Sequence, residues 1–360
     1  MDQENSNNEN KPNLIKKNIK ELNPGMKTGK NIGHKYGGIL IPEGTILDQH
    51  KIKRLKNLGL MQVKIYDENE NQIKNNLEKI KRVEAKYKEN RTRLKSMFKK
   101  IRNNEEIEYE EVKNLTYEVT TLGNDKDMID LLTKIRQADQ YTYSHLLNVG
   151  MMAYMFGNWL NLDQEDSIKL TQAGLLHDIG KAKIPDKILN KPNKLTDKEY
   201  DKMKKHTVYG YKMALKNAEI PANTSRGILT HHERYDGTGY PLKIKGDKIP
   251  LFGRILGIVD TFDAFTADRI YQPAKSPFKA IKLFDKGTFG VFDSKLVNIF
   301  LSKIPNYFVN EEVILNDGRK AEVVFINPRH PERPIIKIDD NYIDLYKNSN
   351  IEIEKLVKKN

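Results

Sequence analysis

The chain has 360 residues, more than one ordinary domain, and 38% of them are hydrophobic, which is enough for a core, so we expect one main domain with smaller attachments. The net charge of +13 suggests a nucleic-acid partner, but the lysines are spread along the chain without a recognition-helix, RNP or zinc-finger pattern, which argues against nucleic-acid binding. No run approaches the roughly 20 apolar residues of a membrane span, and the polar start lacks the apolar centre of a signal peptide, so we expect a cytoplasmic protein. Because the chain has no cysteine, disulfides and thiolate metal sites are excluded.

The chain begins with a polar tail and a small α/β module. Residues 1–22 are rich in Asn and Lys and contain few hydrophobic residues, a composition typical of disorder. Within residues 23–68, apolar patterns predict strands at Ile39–Ile41 and Val63–Tyr66, with an amphipathic helix from about Asp48 between them. We therefore expect a disordered tail followed by a small α/β N-terminal module.

Residues 69–124 form a charged helical linker with a partial heptad repeat. Apolar residues recur every seven positions, at Ile73, Ile80, Tyr87, Leu94 and Ile101. The second heptad position is mixed, because Glu84 and Arg91 stand between Leu77 and Phe98. Half of a coiled-coil seam is present, which leaves two alternatives: a linker helix packed on its own domain, or a coil that joins a homodimer.

The main domain covers residues 125–303 and is predicted to be helical, because helix-spaced apolar residues continue through almost all of it. After Pro305 the pattern changes to alternating β-branched residues, and Asp317-Gly318 predicts a hairpin turn. Residues 304–360 are therefore expected to form a small β-rich segment. The predicted fold class is mainly α, with an all-helical domain between a small α/β module and this segment.

Histidines and aspartates concentrate in the main domain. Five of the eight histidines lie on or beside apolar helical patterns there, at His145, His177, His206, His231 and His232. One would be typical of a hydrogen-bonded core residue. Five together with Asp178 and Asp260 indicate a metal site, since a cation offsets the cost of burying carboxylates.

The types of the candidate ligands limit which metal can bind, and their number indicates how many ions are bound. Imidazole and carboxylate without thiolate suit iron, manganese, zinc, nickel or cobalt. Seven candidate ligands exceed the roughly four to six that one ion takes, so we expect two ions that share a carboxylate and a bridging hydroxide. His177 and Asp178 fit this arrangement, because neighbouring side chains on a helix diverge by about 100° and only one of the two need lie between the ions.

Several short motifs follow one another in the main domain: "YTYSH", "HDIGK", the histidine at 206, "HHERYDGTGYP" and "RILGIVDTFDAFTADRIY". In this order and spacing they resemble the HD-GYP family of bacterial metal phosphodiesterases, within the wider HD superfamily. The resemblance covers roughly residues 125–303. It implies an all-helical domain that hydrolyses cyclic di-GMP, a bacterial second messenger, to pGpG or GMP through a metal-bridging hydroxide.

The resemblance also implies roles for individual residues. The first ion would be held by His145, His177, Asp178 and Asp260, and the second by Asp178, His206, His231 and His232. Asp178 and Lys181 would be catalytic, with the Lys181 ammonium facing the scissile phosphate. Substrate contacts would come from Lys181, Asp236, Tyr240 and Arg269. The loop that carries Tyr240 would lie at the lip of the site, where it packs under a guanine or meets a protein partner.

The sequence departs from the family pattern at two places, and two alternative functions remain open. Tyr141 stands where some relatives have a glutamate that binds a third ion, so two divalent ions, iron or manganese, are expected. Ile270 and Gln272 replace a proline and a basic residue, so one phosphate contact is expected to be missing. The alternatives are a catalytically silent cyclic-dinucleotide receptor and an HD-type hydrolase of another cyclic dinucleotide, such as cyclic GMP-AMP.

Overall fold

The computed structural model describes residues 13–33, 39–41, 43–57, 60–122, 128, 141–267, 275–287, 290–339 and 341–357. The chain divides into two compact units, with the boundary between Val83 and Glu84. The predicted mainly α fold class is confirmed, with small sheets near both ends. Within these described ranges, none of the helices combines the length and the apolar composition needed to cross a lipid bilayer.

The first unit is a small α/β arrangement. Its elements are β1 (Leu14–Asn18), β2 (Ile32–Gly33), β3 (Ile39–Ile41), α1 (Gln49–Asn57) and β4 (Gln62–Tyr66). β1 pairs antiparallel with β4, and β2 pairs antiparallel with β3. The apolar face of α1 is buried through Ile52 and Leu55. The two strands and the helix predicted in this segment are present.

The predicted disorder of residues 1–22 is wrong for the part of that segment that the structure describes. Leu14–Asn18 forms β1, with Leu14 opposite Tyr66 of β4, and a short 3-10 turn follows at Ile19–Glu21. Ile19 is buried and anchors the turn. Composition misled here because the strand draws its order from a partner far along the chain, which a count of hydrophobic residues does not reveal.

The second unit contains most of the helices and a five-stranded sheet. Its helices are α2 (Glu70–Arg102, which starts before the boundary), α3 (Tyr109–Thr120), α4 (Tyr141–Trp159), α5 (Gln164–Leu176), α6 (Asp186–Leu189), α7 (Asp197–Lys204), α8 (His206–Lys216), α9 (Ala222–Thr230), α10 (Leu251–Thr266), α11 (Pro277–Lys282) and α12 (Ser294–Lys303). A 3-10 turn, Ile179–Lys183, follows α5.

The second half of the linker helix packs on its own domain. Tyr87, Leu94 and Ile101 of the heptad series are buried, and Phe98 contacts Tyr143 of α4 edge-to-face with ring centroids 5.4 Å apart. From Tyr87 onward the chain therefore follows the first of the two alternatives. This face of α2 is used inside the domain and is not available to a second copy of the chain.

Helices α4 and α5 approach each other closely, and this contact positions two candidate ligands. α5 begins after Asp163, whose carboxylate accepts a hydrogen bond from the backbone N–H of Asp166 (2.7 Å). A Cβ atom on Gly174 would lie 2.9 Å from the Cα atom of Gly150 on α4, so the crossing requires glycine. His145, on α4, therefore comes to lie beside the end of α5.

The C-terminal segment forms an antiparallel sheet in the same unit as the helices. Its strands are β5 (Glu312–Leu315), β6 (Lys320–Asn327), β7 (His330–Ile338), β8 (Asn341–Asp344) and β9 (Ile353–Leu356), in the order β8-β7-β6-β5-β9. The predicted turn at Asp317-Gly318 joins β5 to β6, with Gly318 at a φ of +86°. Helix α11 packs against this sheet, and Lys282 forms an ion pair with Glu352 (3.0 Å).

Candidate metal centre

The structure brings six of the seven predicted ligands together in two groups that share Asp178. The first group is His145, His177 and Asp178, and the second is Asp178, His206, His231 and His232. In each group the ligand atoms lie within 4.8 Å of one another. All of these side chains are buried except His232, which is half-buried. The ends of four separate elements converge here, so the cluster depends on the tertiary fold.

Asp178 directs one carboxylate oxygen toward each group. Its Oδ2 atom lies 3.3 Å from His177 Nε2 and 3.6 Å from His145 Nε2. Its Oδ1 atom lies 3.1 Å from His206 Nε2 and 3.9 Å from His231 Nε2. This is the arrangement expected of a carboxylate that bridges two cations.

Asp260, the seventh predicted ligand, lies at the edge of the cluster on α10. Its Oδ1 atom is 3.1 Å from His145 Nε2 and 3.8 Å from His177 Nε2. Its Oδ2 atom is 3.9 Å from His232 Nδ1. The carboxylate thus faces the same nitrogen atoms of the first group as Asp178 Oδ2, as the resemblance implies.

Three of the histidines are oriented by carbonyl groups in the last turn of the helix that precedes them. The Nδ1 atoms of His177, His206 and His231 lie 2.8 Å from the carbonyl oxygens of Gly174, Met203 and Ile228, respectively. A carbonyl only accepts, so each Nδ1 carries the proton and each Nε2 presents its lone pair to the cluster. Such bonds fix the tautomer that a metal ligand needs.

His145 is oriented differently, by a carboxylate from another helix. Its Nδ1 atom lies 2.7 Å from Asp263 Oδ2 on α10, and Asp263 is fully buried. Asn148 Nδ2 donates a second hydrogen bond to Asp263 Oδ1 (3.0 Å). The ring of His145 is therefore aimed by a contact across 118 residues of sequence.

The cluster fits divalent cations on the evidence of its own unsatisfied atoms. Among the described residues, His177 Nε2 and Asp178 Oδ1 are buried without a hydrogen-bond partner, which is costly unless something positive lies beside them. The Nε2 atoms of His206 and His231 lie 3.4 Å apart. Because both rings carry their proton on Nδ1, the lone pairs of the two Nε2 atoms point toward each other and repel. A cation between these atoms removes the repulsion.

Local electrostatics determine which candidate ligands are neutral and which are charged at pH 7. Burial lowers the pKa of His231 and of His232 well below the usual histidine value, so both are neutral at pH 7. Burial alone would raise the pKa of Asp178, but the positive charge of Lys181 holds it well below its usual value. Burial also lowers the pKa of His145, yet hydrogen bonds with Asp260 and Asp263 outweigh it and raise that pKa to about 9. A cation bound beside His145 would take the place of a proton.

The glycine of "HDIGK" allows the ligand turn to lie against α8. A Cβ atom on Gly180 would come 2.0 Å from the carbonyl oxygen of His206 and 2.5 Å from the backbone nitrogen of Gly210. No other residue fits this space without moving a backbone. The close approach places Asp178 beside His206, so the glycine in this motif serves the geometry of the second group.

Of the two cationic side chains predicted to contact the substrate, the structure describes only Lys181. Lys181 Nζ contacts Asp178 Oδ2 and its side chain is 25% exposed, so it lies between the buried carboxylate and solvent. Its contact with a phosphate stays a prediction. Arg269 lies outside the described residues, as do Ile270 and Gln272.

The loop "DGTGYP" packs on the cluster through Tyr240. The Tyr240 ring stacks on His232 with centroids 4.7 Å apart and a 30° angle between the planes. Asp236 accepts hydrogen bonds from the backbone N–H and the hydroxyl of Thr238 (2.9 and 2.7 Å), which shapes the loop. The predicted substrate contacts of Asp236 and Tyr240 stay predictions, but the Tyr240 ring packs against a candidate ligand histidine.

Comparison with known proteins identifies the domain. Residues 127–296 match the family model described as "HD domain". Cyclic di-GMP phosphodiesterase PA4108 of Pseudomonas aeruginosa is 32% identical over 245 residues, which cover 68% of this chain and 59% of that protein. The chain carries an HD domain of the HD-GYP family.

Two further comparisons concern another relative and a solved structure of this fold. The 3'3'-cGAMP-specific phosphodiesterase 2 of Vibrio cholerae is 34% identical over 161 residues, which cover 44% of this chain and 31% of that protein. The solved structure of Bd1817, an HDG"Y"P protein from Bdellovibrio bacteriovorus, shares the fold, with a TM-score of 0.50, 14% identity, and coverage of 80% of this chain and 98% of that one. The chain spans less than two thirds of the length of these two phosphodiesterases.

Sequence reasoning missed two supporting residues of the HD-GYP domain. Asp263 follows Asp260 by three positions on α10, which places both on one helix face, so its proximity to the ligands could have been predicted. Glu233 follows the paired histidines of "HHE", and its Oε1 atom accepts hydrogen bonds from the backbone N–H groups of Leu242 (2.6 Å) and Lys243 (3.1 Å). Glu233 therefore fastens the end of the loop that carries Tyr240.

Proposed function

We propose that this protein is a metal-dependent phosphodiesterase that hydrolyses cyclic di-GMP. The observation that carries the proposal is the geometry of Asp178, which presents one oxygen to each of two histidine groups. A site of this kind suits phosphodiester hydrolysis, in which both the attacking and the leaving oxygen carry negative charge. The curated relative named a cyclic di-GMP phosphodiesterase, at 32% identity, supports the choice of substrate.

Two divalent ions are proposed, iron or manganese, held by nitrogen and oxygen ligands alone. The first would bind His145, His177, Asp178 and Asp260, and the second Asp178, His206, His231 and His232. Imidazole and carboxylate donors without thiolate favour such metals. When bound, the ions would supply an activated water and would stabilise the charge that develops on the phosphoryl oxygens.

The residues of the chain contribute positioning and charge. Asp178 sets the spacing of the two groups, and Lys181 places a positive charge at the solvent side of that carboxylate, where a scissile phosphate would lie. Water adds to phosphorus, the bond from phosphorus to the ribose 3′ oxygen breaks, and the 3′ oxygen takes up a proton. The product is linear pGpG, and a second hydrolysis of the same kind yields two GMP.

A related substrate is the second candidate, because the Vibrio cholerae relative at 34% identity is named as specific for 3'3'-cGAMP. Its reaction would use the same metal groups, so the difference lies in the contacts with the bases. Parallel assays with cyclic di-GMP and 3'3'-cGAMP decide between them. We expect the larger kcat/KM with cyclic di-GMP.

The direct test combines a metal count with turnover of cyclic di-GMP by anaerobically purified protein. The native chain should contain two ions and form pGpG or GMP. Asp178→Asn should lose metal and lower turnover by more than about 100-fold, since even an outer-shell partner is worth about 10- to 100-fold. The matched control is Asp166→Asn, which alters a surface carboxylate paired with Lys169 at the same i,i+3 spacing (3.3 Å) and should behave as native. Two bound ions and tight binding of cyclic di-GMP without turnover would instead indicate a receptor.

The proposed homodimer and the proposed protein partner at the loop are each supported by only a few residues. Ile73 and Ile80, half-buried on the first turns of α2, are the heptad positions left for a second copy. A molar mass in solution of twice the chain mass at micromolar concentration, reduced to one chain by Ile73→Lys, would support the dimer. Binding of a protein partner that is lost on Tyr240→Ala would support the loop interface.

A further inference from the structure

A chain of hydrogen bonds connects the linker helix α2 with the ligand His145. The hydroxyl of Tyr87 donates to Asn148 Oδ1 (2.8 Å), and Asn148 Nδ2 donates to Asp263 Oδ1 (3.0 Å). His145 Nδ1 donates to Asp263 Oδ2 (2.7 Å). All four side chains are buried, with Tyr87 and Asp263 completely inaccessible to solvent. Water therefore does not compete for these bonds.

The direction of each bond in this chain is determined by chemistry. The Asp263 carboxylate can only accept, so the NH₂ group of Asn148 must face it. The Asn148 carbonyl oxygen is then left to accept the Tyr87 hydroxyl proton. The orientation of the amide thus depends on groups on both of its sides, and the orientation of the carboxylate depends on the amide. Satisfied buried networks of this kind favour one arrangement.

We propose that Tyr87 is a positioning residue for the first metal site, acting through Asn148 and Asp263 to aim His145 Nε2 at Asp178. The proposal rests on the two-ion function proposed above. Without the Tyr87 hydroxyl, the Asn148 amide loses the partner that opposes Asp263, and the carboxylate loses a fixed neighbour. The His145 ring then has more than one low-energy orientation, and the ion that it binds is released more readily.

The proposal extends the metal site to the linker helix α2. Tyr87 lies on α2, outside the matched family region 127–296 and inside the segment 69–124 predicted to be a linker. Leu94, Met97 and Phe98 on the same face of α2 are also buried in this unit, so Tyr87 is rigidly placed. The linker helix therefore completes the site and is not only a connection to the N-terminal module.

The primary test uses Tyr87→Phe in the full-length chain, because it removes one hydroxyl and keeps the ring. The matched control is Tyr66→Phe, which removes a hydroxyl bonded to Glu43 Oε1 (2.7 Å) in the first unit. Each protein is loaded with Mn²⁺, and the release of the two ions into a chelator is followed over time. We expect one of the two release phases to become about three- to ten-fold faster in Tyr87→Phe, below the range for a direct outer-shell partner. Tyr66→Phe should match the native chain.

A double-mutant cycle separates positioning from general packing. Asp263→Asn breaks the link next to His145, so Tyr87→Phe should add nothing to the release rate in that background. Asn148→Ser, which breaks the chain one link nearer to the metal, should speed release at least as much as Tyr87→Phe. Melting temperatures of the metal-free proteins are measured in parallel, because a purely structural role would lower these values without changing metal release.

The outcomes keep the two proposals apart. A native chain that binds no metal would overturn both of them. If the native chain binds two ions and turns over cyclic di-GMP, while Tyr87→Phe and Asn148→Ser both release metal at the native rate, only the role of Tyr87 is overturned. An equal effect of Tyr87→Phe with and without Asp263→Asn would also overturn it, since the effect would not pass through Asp263.

Discussion

Two kinds of support orient the candidate ligand histidines of this protein. His177, His206 and His231 each hydrogen-bond a carbonyl three residues earlier in the chain, at the end of a helix. His145 instead depends on Asp263, which is 118 residues away on α10. The first kind forms whenever the helix forms, because the last carbonyls of a helix lack intrahelical partners. The second kind exists only when α4 and α10 are packed correctly.

The comparison indicates that the first metal group is the more easily disturbed. The second group has two histidines, His206 and His231, that are each fixed by the helix that precedes them. The first has one locally fixed histidine, His177, and one whose ring is held through tertiary contacts, His145. Changes in distant packing should therefore act on the ion at the first group before they act on the other.

Removing the metals should have the largest effect and should act on both groups. Without a cation, His177 Nε2 and Asp178 Oδ1 are buried and unsatisfied, so we expect chelation to abolish turnover and to lower the free energy of unfolding. An ion present at about 1,000 times its Kd stabilises the fold by about 4 kcal/mol. Urea unfolding with and without chelator measures this difference. Equal unfolding midpoints would show that the cluster does not bind metal.

Asp263→Asn should disturb one group selectively. The asparagine keeps the shape of the side chain but removes its charge. It also replaces one of the two oxygen atoms that accept hydrogen bonds from His145 Nδ1 and Asn148 Nδ2. Loss of such an outer-shell partner typically costs about 10- to 100-fold in metal affinity or activity. Metal titration should show one weakened and one native-like site. Weakening of both sites to the same degree would contradict the distinction between the groups.

Gly180→Ala should disturb the opposite side of the cluster. The added methyl group would lie 2.0 Å from the carbonyl oxygen of His206, and neither backbone can move without shifting a ligand. Overpacking of this kind costs about 1–3 kcal/mol. Urea unfolding of the metal-free protein should show this loss, and metal titration should show the second site weakened more than the first. An unchanged unfolding midpoint would mean that α8 is free to move away.

Asp236→Asn should have the smallest effect and provides a baseline. The asparagine oxygen can still accept both hydrogen bonds from Thr238, so stability should change by no more than about 0.5 kcal/mol. If Asp236 contacts the substrate as predicted, KM for cyclic di-GMP rises while kcat is kept. A reduced metal content in this variant would place the loop closer to the ions than its contacts indicate.

The sequence allowed the candidate ligand residues to be predicted, but not the contacts between segments that are far apart in the chain. The seven candidate ligands could be selected from the sequence because histidines and aspartates are costly to bury in apolar helical surroundings unless a cation lies beside them. The structure brings six of them together, and the bridging role expected of Asp178 stays a prediction. The proximity of Asp263 to the candidate ligands could have been predicted from its spacing to Asp260. Its contact with His145 and the role proposed for Tyr87 could not, since each depends on a contact between helices far apart in sequence. The strand Leu14–Asn18 was missed for the same reason, because its partner is Gln62–Tyr66.

Anomalous diffraction from crystals grown with Mn²⁺ is the measurement that tests the two-ion centre most directly. Two anomalous peaks are expected, about 3.5–4 Å apart, one beside each oxygen of Asp178. The peak nearest His145 should weaken in crystals of Asp263→Asn, while the other keeps its height. A single peak in the native protein, or peaks that do not flank the Asp178 carboxylate, would contradict the bridged two-metal site.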